Sequence, residues 1–237
     1  MLPFRDYNPS RTFPIITLLI IAANVLVFIY MLSLQAEGAD VLEAFVQSNA
    51  IIPAKITHQL HDLTLSPLTI MTLFSAMFLH AGPVHLLGNM LYLWIFGNNV
   101  EDIMGHGRFL IFYLLCGLIA TTIFIVVFPE STVPMLGASG AIAGVLGAYA
   151  VRFPFAQVDS CLFVLIFVTV VRLPAIVVLA AWFFLQLLDG VGSLSSNSSA
   201  QGGVAYWAHI GGFVAGMVLV TFFAQPRRRY YNTWTDE

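Results

Sequence analysis

A serine flanked by small residues stands where a loop gives way to an apolar helix. The tetrapeptide 137–140 reads Gly-Ala-Ser-Gly, and the loop before it, 129–136, holds prolines and a glutamate. The first N–H groups of a helix have no partner inside it, and they point at whatever the hydroxyl of Ser139 attacks. Such a serine is a nucleophile beside ready-made oxyanion donors. Alone, the tetrapeptide is more typical of an N-cap serine beside a small-residue packing stripe.

A histidine in the last apolar segment is the natural partner of this serine. His209 lies in the first turn of that segment, and Gly212 and Gly216 follow at i+3 and i+7, on the same helix face. Glycines at this spacing let two helices approach closely, and the helix after Ser139 carries matching small residues. We therefore expect these helices to press together and to bring His209 within about 3 Å of Ser139, the reach of a general base.

Three polar residues surround the start of an earlier apolar segment. His85 and Asn89 are four apart, so they share one helix face, where polar groups are costly unless they face a cavity or a partner. Pro83 suits the first turn of that helix, which leaves His80 in the preceding loop. His80 either holds this loop against the helix or is a polar group satisfied locally.

The composition excludes an ordinary soluble protein. The chain has 237 residues, of which 59% are hydrophobic and 9% charged, and this is typical of one polytopic α-helical membrane domain. Both cysteines lie in apolar runs and are interpreted as buried thiols. The only basic run, 227–229, follows an apolar helix, so nucleic-acid binding has no support. His80, His85 and His209 have no cysteine or carboxylate nearby in sequence, so we expect no metal and no cofactor.

The hydropathy pattern predicts six membrane spans and short linking segments. The predicted spans are 13–34, 84–100, 109–128, 139–153, 173–188 and 206–223. The apolar run 161–171 is too short to cross and ends at Arg172. We expect short interfacial helices in 35–66, a tight polar turn at 97–108 where Glu101 and Arg108 pair or cap, and a flexible, cap-like loop at 189–203.

The fourth predicted helix is short, and this locates the serine. At 1.5 Å per residue it is about 22 Å long, less than the roughly 30 Å of hydrocarbon that a span must cross. If its Ser139 end lies inside the membrane, a water-filled cavity must reach that end.

Charge placement predicts the orientation. With six spans and both termini in the cytoplasm, eight of the nine Lys and Arg residues lie inside and only Lys55 lies outside. The predicted organisation is a cytoplasmic lead at 1–12, a six-helix membrane domain at 13–224 and a cytoplasmic tail at 225–237. The predicted location is the inner (cytoplasmic) membrane.

These motifs, taken in order, resemble those of bacterial rhomboids, a family of intramembrane serine proteases. The matching pieces are His80-x4-His85-x3-Asn89, Gly-Asn-Asn-Val-Glu at 97–101, the tetrapeptide at 137–140, and Ala-His-Ile-Gly-Gly at 208–212 followed by Gly216. The resemblance runs from about residue 12 to residue 224. It implies an all-α, six-transmembrane-helix bundle and transmembrane proteins as substrates.

Site roles follow from the resemblance residue by residue. Ser139 matches the nucleophile and His209 the general base, while His85, Asn89 and the Ser139 N–H match the groups that stabilise the oxyanion. The supporting residues are His80, Gly137, Gly140, Gly212 and Gly216.

His209 lacks two supports that a catalytic histidine can have, and only the second absence is a departure from the family pattern. No aspartate matches an orienting residue, and Asp159 and Asp189 are candidates by type only, so we predict a dyad. Some rhomboids carry an aromatic ring one turn after the serine, packed on the histidine; here that position is Ala143. Another ring must support the imidazole, and Tyr206 is a candidate.

Two rival functions remain open. A catalytically inactive rhomboid-like protein that binds transmembrane clients typically lacks the serine or the histidine, and both are present here. A small transporter lined by His80, His85, Asn89 and His209 needs a polar path to the inner face, but the inner halves of these helices are apolar.

Overall fold

The computed structural model describes residues 2–164, 167–195 and 206–225, which are mostly helical. The helices are α1 (Ile15–Glu37), α2 (Ala39–Asn49), α3 (Pro53–His61), α4 (Pro67–Ser75), α5 (Pro83–Met104), α6 (His106–Val127), α7 (Ser139–Arg152), α8 (Ala175–Ser195) and α9 (Tyr206–Phe223), with one 3-10 turn at Ala76–Phe78. The strands are β1 (Leu2–Asp6), β2 (Gln157–Val164) and β3 (Phe167–Pro174).

The long helices agree with the six predicted spans. Over the part of the chain that the structure describes, α1, α6, α8 and α9 are each long and apolar enough to cross a membrane. A fifth span results if α4, the 3-10 turn and α5, which are bent by 80° at a short break, count as one. The remaining predicted span corresponds to α7, which has 14 residues and is short, as the sequence predicts.

Helix α7 forms the centre of the bundle. Ten of its 14 residues are buried, because α6 and α9 pack against it from two sides. A Cβ atom on Gly212 or Gly216 would collide with the carbonyl oxygens of Gly140 and Gly144, respectively. A Cβ on Gly140 would lie 2.7 Å from that of Ala120 on α6. The predicted close approach of the two helices is confirmed, and the paired positions show that α7 and α9 run parallel.

A buried carboxylate fastens α5 to the start of α1. Glu101 is 0% exposed and accepts hydrogen bonds from the N–H groups of Ile16 and Thr17 and from the Thr17 hydroxyl, at 2.7–2.9 Å. The Nδ1 atom of His106 bonds the same carboxylate, at the Oε1 atom that also accepts from the Ile16 N–H. Glu101 therefore caps α1, where the first N–H groups have no partner inside the helix.

The tight polar turn predicted at 97–108 is wrong. Helix α5 continues to Met104 and α6 begins at His106, so that only Gly105, with φ of 79°, separates them. The polar residues of this stretch suggested a loop, but the buried contacts of Glu101 hold them in helical structure.

A small antiparallel sheet, in the order β1-β2-β3, was not expected from the sequence. Strands β2 and β3, which include 161–164 and 167–171 of the apolar run, pair antiparallel, and this confirms the prediction that the run is not a span. Strand β1 lies in the segment 1–12, which was predicted to be a polar lead, and pairs with the free edge of β2. Pairing between residues some 155 positions apart leaves no local signal in the lead, which explains the omission.

The sheet is held to the helices by polar side chains. The Tyr149 hydroxyl near the end of α7 donates to Asp6 at 2.8 Å. Arg172 donates to Asp159 at 2.8 Å, and so does the Tyr7 hydroxyl. The hydrogen bond from Arg172, followed by that from Tyr7, holds the pKa of the Asp159 carboxyl below its usual range.

Two predicted segments are only partly described. Helix α8 continues through Asp189 to Ser195, so the loop predicted from residue 189 is wrong for these positions; 196–205 lie outside the described residues. The basic run 227–229 and most of the predicted tail also lie outside them. The connection 35–66 holds α2 and α3, as expected.

Candidate active site

Ser139 and His209 are hydrogen-bonded. The Nε2 atom of His209 lies 2.7 Å from the Ser139 hydroxyl oxygen. Helix α7 begins at Ser139, and its N-cap residue is Ala138, so the hydroxyl does not serve as the N-cap. The glycine contacts between α7 and α9 bring the two side chains to this distance.

The other ring nitrogen of His209 has a partner that the sequence did not predict. Nδ1 lies 2.7 Å from the Oε1 atom of Gln186 on α8. Neither aspartate considered from the sequence has this role, because Asp159 is bonded within the sheet and the oxygen that faces Nδ1 belongs to Gln186, not to the exposed Asp189. The sequence did hold one signal for this role: Gln186 is a lone amide in a strongly apolar helix, where a polar group is costly unless it has a partner.

The aromatic neighbour of the imidazole also comes from α8. The ring of Trp182 lies 6.0 Å from that of His209, centroid to centroid. Ala143 on α7 has no ring to pack on the imidazole. Among the described residues, the ring beside the imidazole is that of Trp182 and not the suggested Tyr206. Trp182 and Gln186 are four apart and therefore share one face of α8.

His85 lies against the turn that leads into Ser139. A Cβ atom built on Gly137 would be 3.0 Å from the Nε2 atom of His85 and 3.7 Å from the Ser139 hydroxyl oxygen. Gly137 has φ of 128°, which a residue with a side chain rarely adopts. The Ala81 N–H approaches Nδ1 of His85 at 3.4 Å, so that nitrogen accepts and Nε2 carries the proton next to Gly137 and Ser139.

Asn89 provides a buried donor with no partner. The residue is 8% exposed, and its Nδ2 atom makes no hydrogen bond within the described structure. Buried polar groups are normally bonded, so a free amide here is available to a group that enters the cavity.

His80 lies behind His85. It is 1% exposed, and its ring packs edge to face on that of His85 with centroids 5.1 Å apart. The loop around it is tied down by the Gly137 N–H, which donates to the Ala76 carbonyl at 2.8 Å. This packing favours the interpretation that His80 supports the loop.

Five of these side chains line one cavity of about 700 Å³: His85, Asn89, Ser139, Trp182 and His209. Its wall is mainly apolar, and its polar groups include Ser139, His209, His85 and Asn89. Within the described part of the chain, no three His, Cys, Asp or Glu side chains converge in a way that would hold a metal ion. The arrangement suits nucleophilic attack by a serine, with oxyanion donors across the cavity.

Comparison with known proteins gives the family. The Rhomboid domain model matches residues 67–226, more than half of the chain, so the chain belongs to the rhomboid family. It is an integral membrane protein, given this family and its apolar helices.

Several relatives are similar over parts of their length. "Rhomboid protease GluP" of Bacillus subtilis is 46% identical over 32% of this chain and 14% of its own length. "RHOMBOID-like protein 1" of Arabidopsis thaliana is 26% identical over 97% of this chain and 59% of its own. "Rhomboid protein 1, mitochondrial" of Saccharomyces cerevisiae is 31% identical over 62% and 40%, respectively. The chain thus spans less than two thirds of the length of these relatives.

Proposed function

We propose that this protein is an intramembrane serine endopeptidase that cleaves transmembrane segments with a Ser139–His209 dyad. The observation that carries the proposal is the 2.7 Å contact between Nε2 of His209 and the Ser139 hydroxyl. The B. subtilis relative is named a protease, which favours the same activity here.

Acylation uses the two side chains in turn. His209 takes the proton of Ser139 at Nε2 while the serine oxygen bonds to the scissile carbonyl carbon. The resulting oxyanion accepts hydrogen bonds from the Ser139 N–H, Asn89 Nδ2 and His85 Nε2. His209 then gives its proton to the leaving amine as the C–N bond breaks, which leaves an acyl-enzyme.

Hydrolysis repeats these steps with water as the nucleophile. His209 takes a proton from the water, whose oxygen attacks the ester carbonyl. The proton returns to the Ser139 oxygen when the intermediate collapses, and a carboxylic acid leaves.

The substrate is a membrane span that unwinds locally. A transmembrane helix satisfies its own carbonyl groups, so a scissile bond becomes reachable only where small or helix-breaking residues loosen the helix. The proposed topology has six spans at 13–224, with the lead 1–12 and the tail 225–237 both in the cytoplasm and the protein in the inner membrane. Helix α8 borders the site and is the proposed gate for lateral access.

The proposal is tested by cleavage of a single-span reporter in proteoliposomes. We expect Ser139→Ala and His209→Ala each to reduce cleavage to background while both proteins fold normally. Ser33→Ala and His61→Ala are matched controls. Both positions are exposed and distant in sequence from Ser139 and His209, so both variants should cleave the reporter as wild type does.

A wild-type protein that cuts nothing is next treated with a fluorophosphonate. Labelling of Ser139 would indicate a competent site that lacks its substrate. Absence of both cleavage and labelling would overturn the proposal in favour of an inactive relative that binds transmembrane clients.

A further inference from the structure

His209 is held at both ring nitrogens. Nε2 faces the Ser139 hydroxyl and Nδ1 faces Oε1 of Gln186, each at 2.7 Å. A neutral imidazole carries one proton. For Nε2 to accept the serine proton, that one proton must sit on Nδ1, where it needs an acceptor.

Gln186 supplies that acceptor without a charge. An amide can present either its oxygen or its NH₂ group, and here the oxygen faces Nδ1. If the NH₂ group faced Nδ1, the ring proton would move to Nε2 and His209 could not take the proton of Ser139. The orientation of one amide therefore determines whether the histidine is a base.

Helix α8 is the source of both groups that support the imidazole. Gln186 bonds Nδ1, and the ring of Trp182, one turn earlier, lies 6.0 Å from that of His209. On α7 the position one turn after Ser139 is Ala143, which is buried and has no ring to offer. The ring of His209 is oriented from α8.

We propose that Gln186 is a positioning residue that fixes the tautomer of His209, so that the dyad is competent only while α8 packs against α9. The inference rests on the proposed function, in which His209 is the general base. It adds that α8, the proposed gate for substrate access, also fixes the tautomer of the general base His209.

The first test is kinetic, in proteoliposomes with the reporter substrate. Gln186→Leu, which keeps the size but removes the acceptor, is expected to lower kcat at least about tenfold with KM little changed, toward the 10²–10⁴-fold that general-base catalysis contributes. Leu185→Ala, at the adjacent lipid-exposed position, is the control for α8 and should keep the wild-type kcat.

Gln186→Glu separates positioning from mere packing. It retains an acceptor and should retain activity at high pH. A carboxylate beside the ring favours the protonated imidazole, so the acid limb of the kcat/KM profile should move to higher pH. A structural role for Gln186 would leave this limb in place. The glutamate variant also keeps the test valid if Gln186→Leu does not fold.

The second test needs no catalysis. With ¹⁵N-labelled histidine, and His209→Ala to assign the signal, the wild-type protein should show the Nδ1–H tautomer of His209, and Gln186→Leu should lose it. Wild-type His209 protonated at Nε2, or an unchanged tautomer and pH profile in both Gln186 variants, would overturn the inference. Such a result leaves the proposed function intact, whereas failure of cleavage and labelling with the tautomer as expected would overturn the proposed function and leave only the tautomer assignment standing.

Discussion

Asn89 is the residue whose proposed role most clearly sets function against stability. Its buried Nδ2 has no partner in the described structure, which costs free energy in the resting protein. The oxyanion of the proposed reaction would supply that partner only in the transition state. An interaction made only at that stage raises kcat.

Asn89→Ala is therefore expected to lower kcat by about 10²–10³, the cost of removing one oxyanion donor. Its thermal unfolding temperature should stay the same or rise, because a buried unpaired amide is lost. Reporter cleavage and thermal unfolding in detergent measure the two effects.

The control for this change is Asn99→Ala on the same helix. Asn99 donates to the Asn8 carbonyl at 2.6 Å, so its loss should lower stability and leave kcat per folded molecule unchanged. An unaltered kcat in Asn89→Ala would remove Asn89 from the oxyanion site.

At the scale of elements, the pair α7 and α9 sets the geometry of the dyad. The backbones touch at Gly140 with Gly212 and at Gly144 with Gly216, and the side chains of Ser139 and His209 meet just above these contacts. In lipid, helix association depends on packing of this kind, because there is no hydrophobic force between helices.

Gly216→Ala tests this element. The new methyl group would collide with the Gly144 carbonyl, so we expect a loss of about 1–3 kcal/mol in the free energy of unfolding. Separation of the helices should also lower kcat, since a misplacement of about 1 Å can cost 10²-fold.

Gly107→Ala is the matched control, because a Cβ there meets nothing within 4 Å. This variant should be at least as stable as wild type, since alanine favours a helix over glycine by about 1 kcal/mol. Equal stability and activity of Gly216→Ala and Gly107→Ala would contradict the packing account.

At the scale of the whole molecule, the sheet is attached to one end of the bundle. Strand β1 joins the β2–β3 hairpin, the Asp6–Tyr149 bond fastens the sheet to α7, and Arg172 pairs with Asp159 inside it. The N-terminal segment is thereby tied to the helix that carries Ser139, at the far end from the serine.

The sheet should be sensitive to acid. Arg172 holds the pKa of Asp159 below its ordinary value, so this carboxylate stabilises the folded state above its unfolded pKa. That contribution is lost as the pH falls through the lowered pKa of the folded state. The protection factors of the β2 and β3 amides, which correct hydrogen exchange for its intrinsic slowing in acid, should therefore fall at acid pH.

Asp159→Asn should show lower protection factors in these strands already at neutral pH, with a smaller further fall in acid. Asp62→Asn removes an exposed carboxylate, and surface pairs of that kind contribute little, so its profile should match wild type. Identical profiles for all three proteins would show that the Asp159–Arg172 pair does not hold the sheet.

The sequence by itself determined the membrane class, the six main helices and the two side chains that meet in the site. These features depend on local patterns: apolar runs of spanning length, a serine at a helix start, and glycines on the face of His209. The same local logic failed at 97–108 and after residue 189, where polar residues suggested loops. The buried contacts of Glu101 keep the first stretch helical, and in the second stretch the Gly190 carbonyl accepts a hydrogen bond from Trp207 Nε1 on α9.

Only the tertiary structure decided the partner of Nδ1, the ring beside His209 and the sheet. Gln186 and Trp182 precede His209 by more than twenty positions, and β1 pairs with β2, which follows it only after seven helices. Contacts of this kind depend on where a side chain points once helices have packed. An amide or indole in an apolar helix gives no sign of its partner in the order of residues.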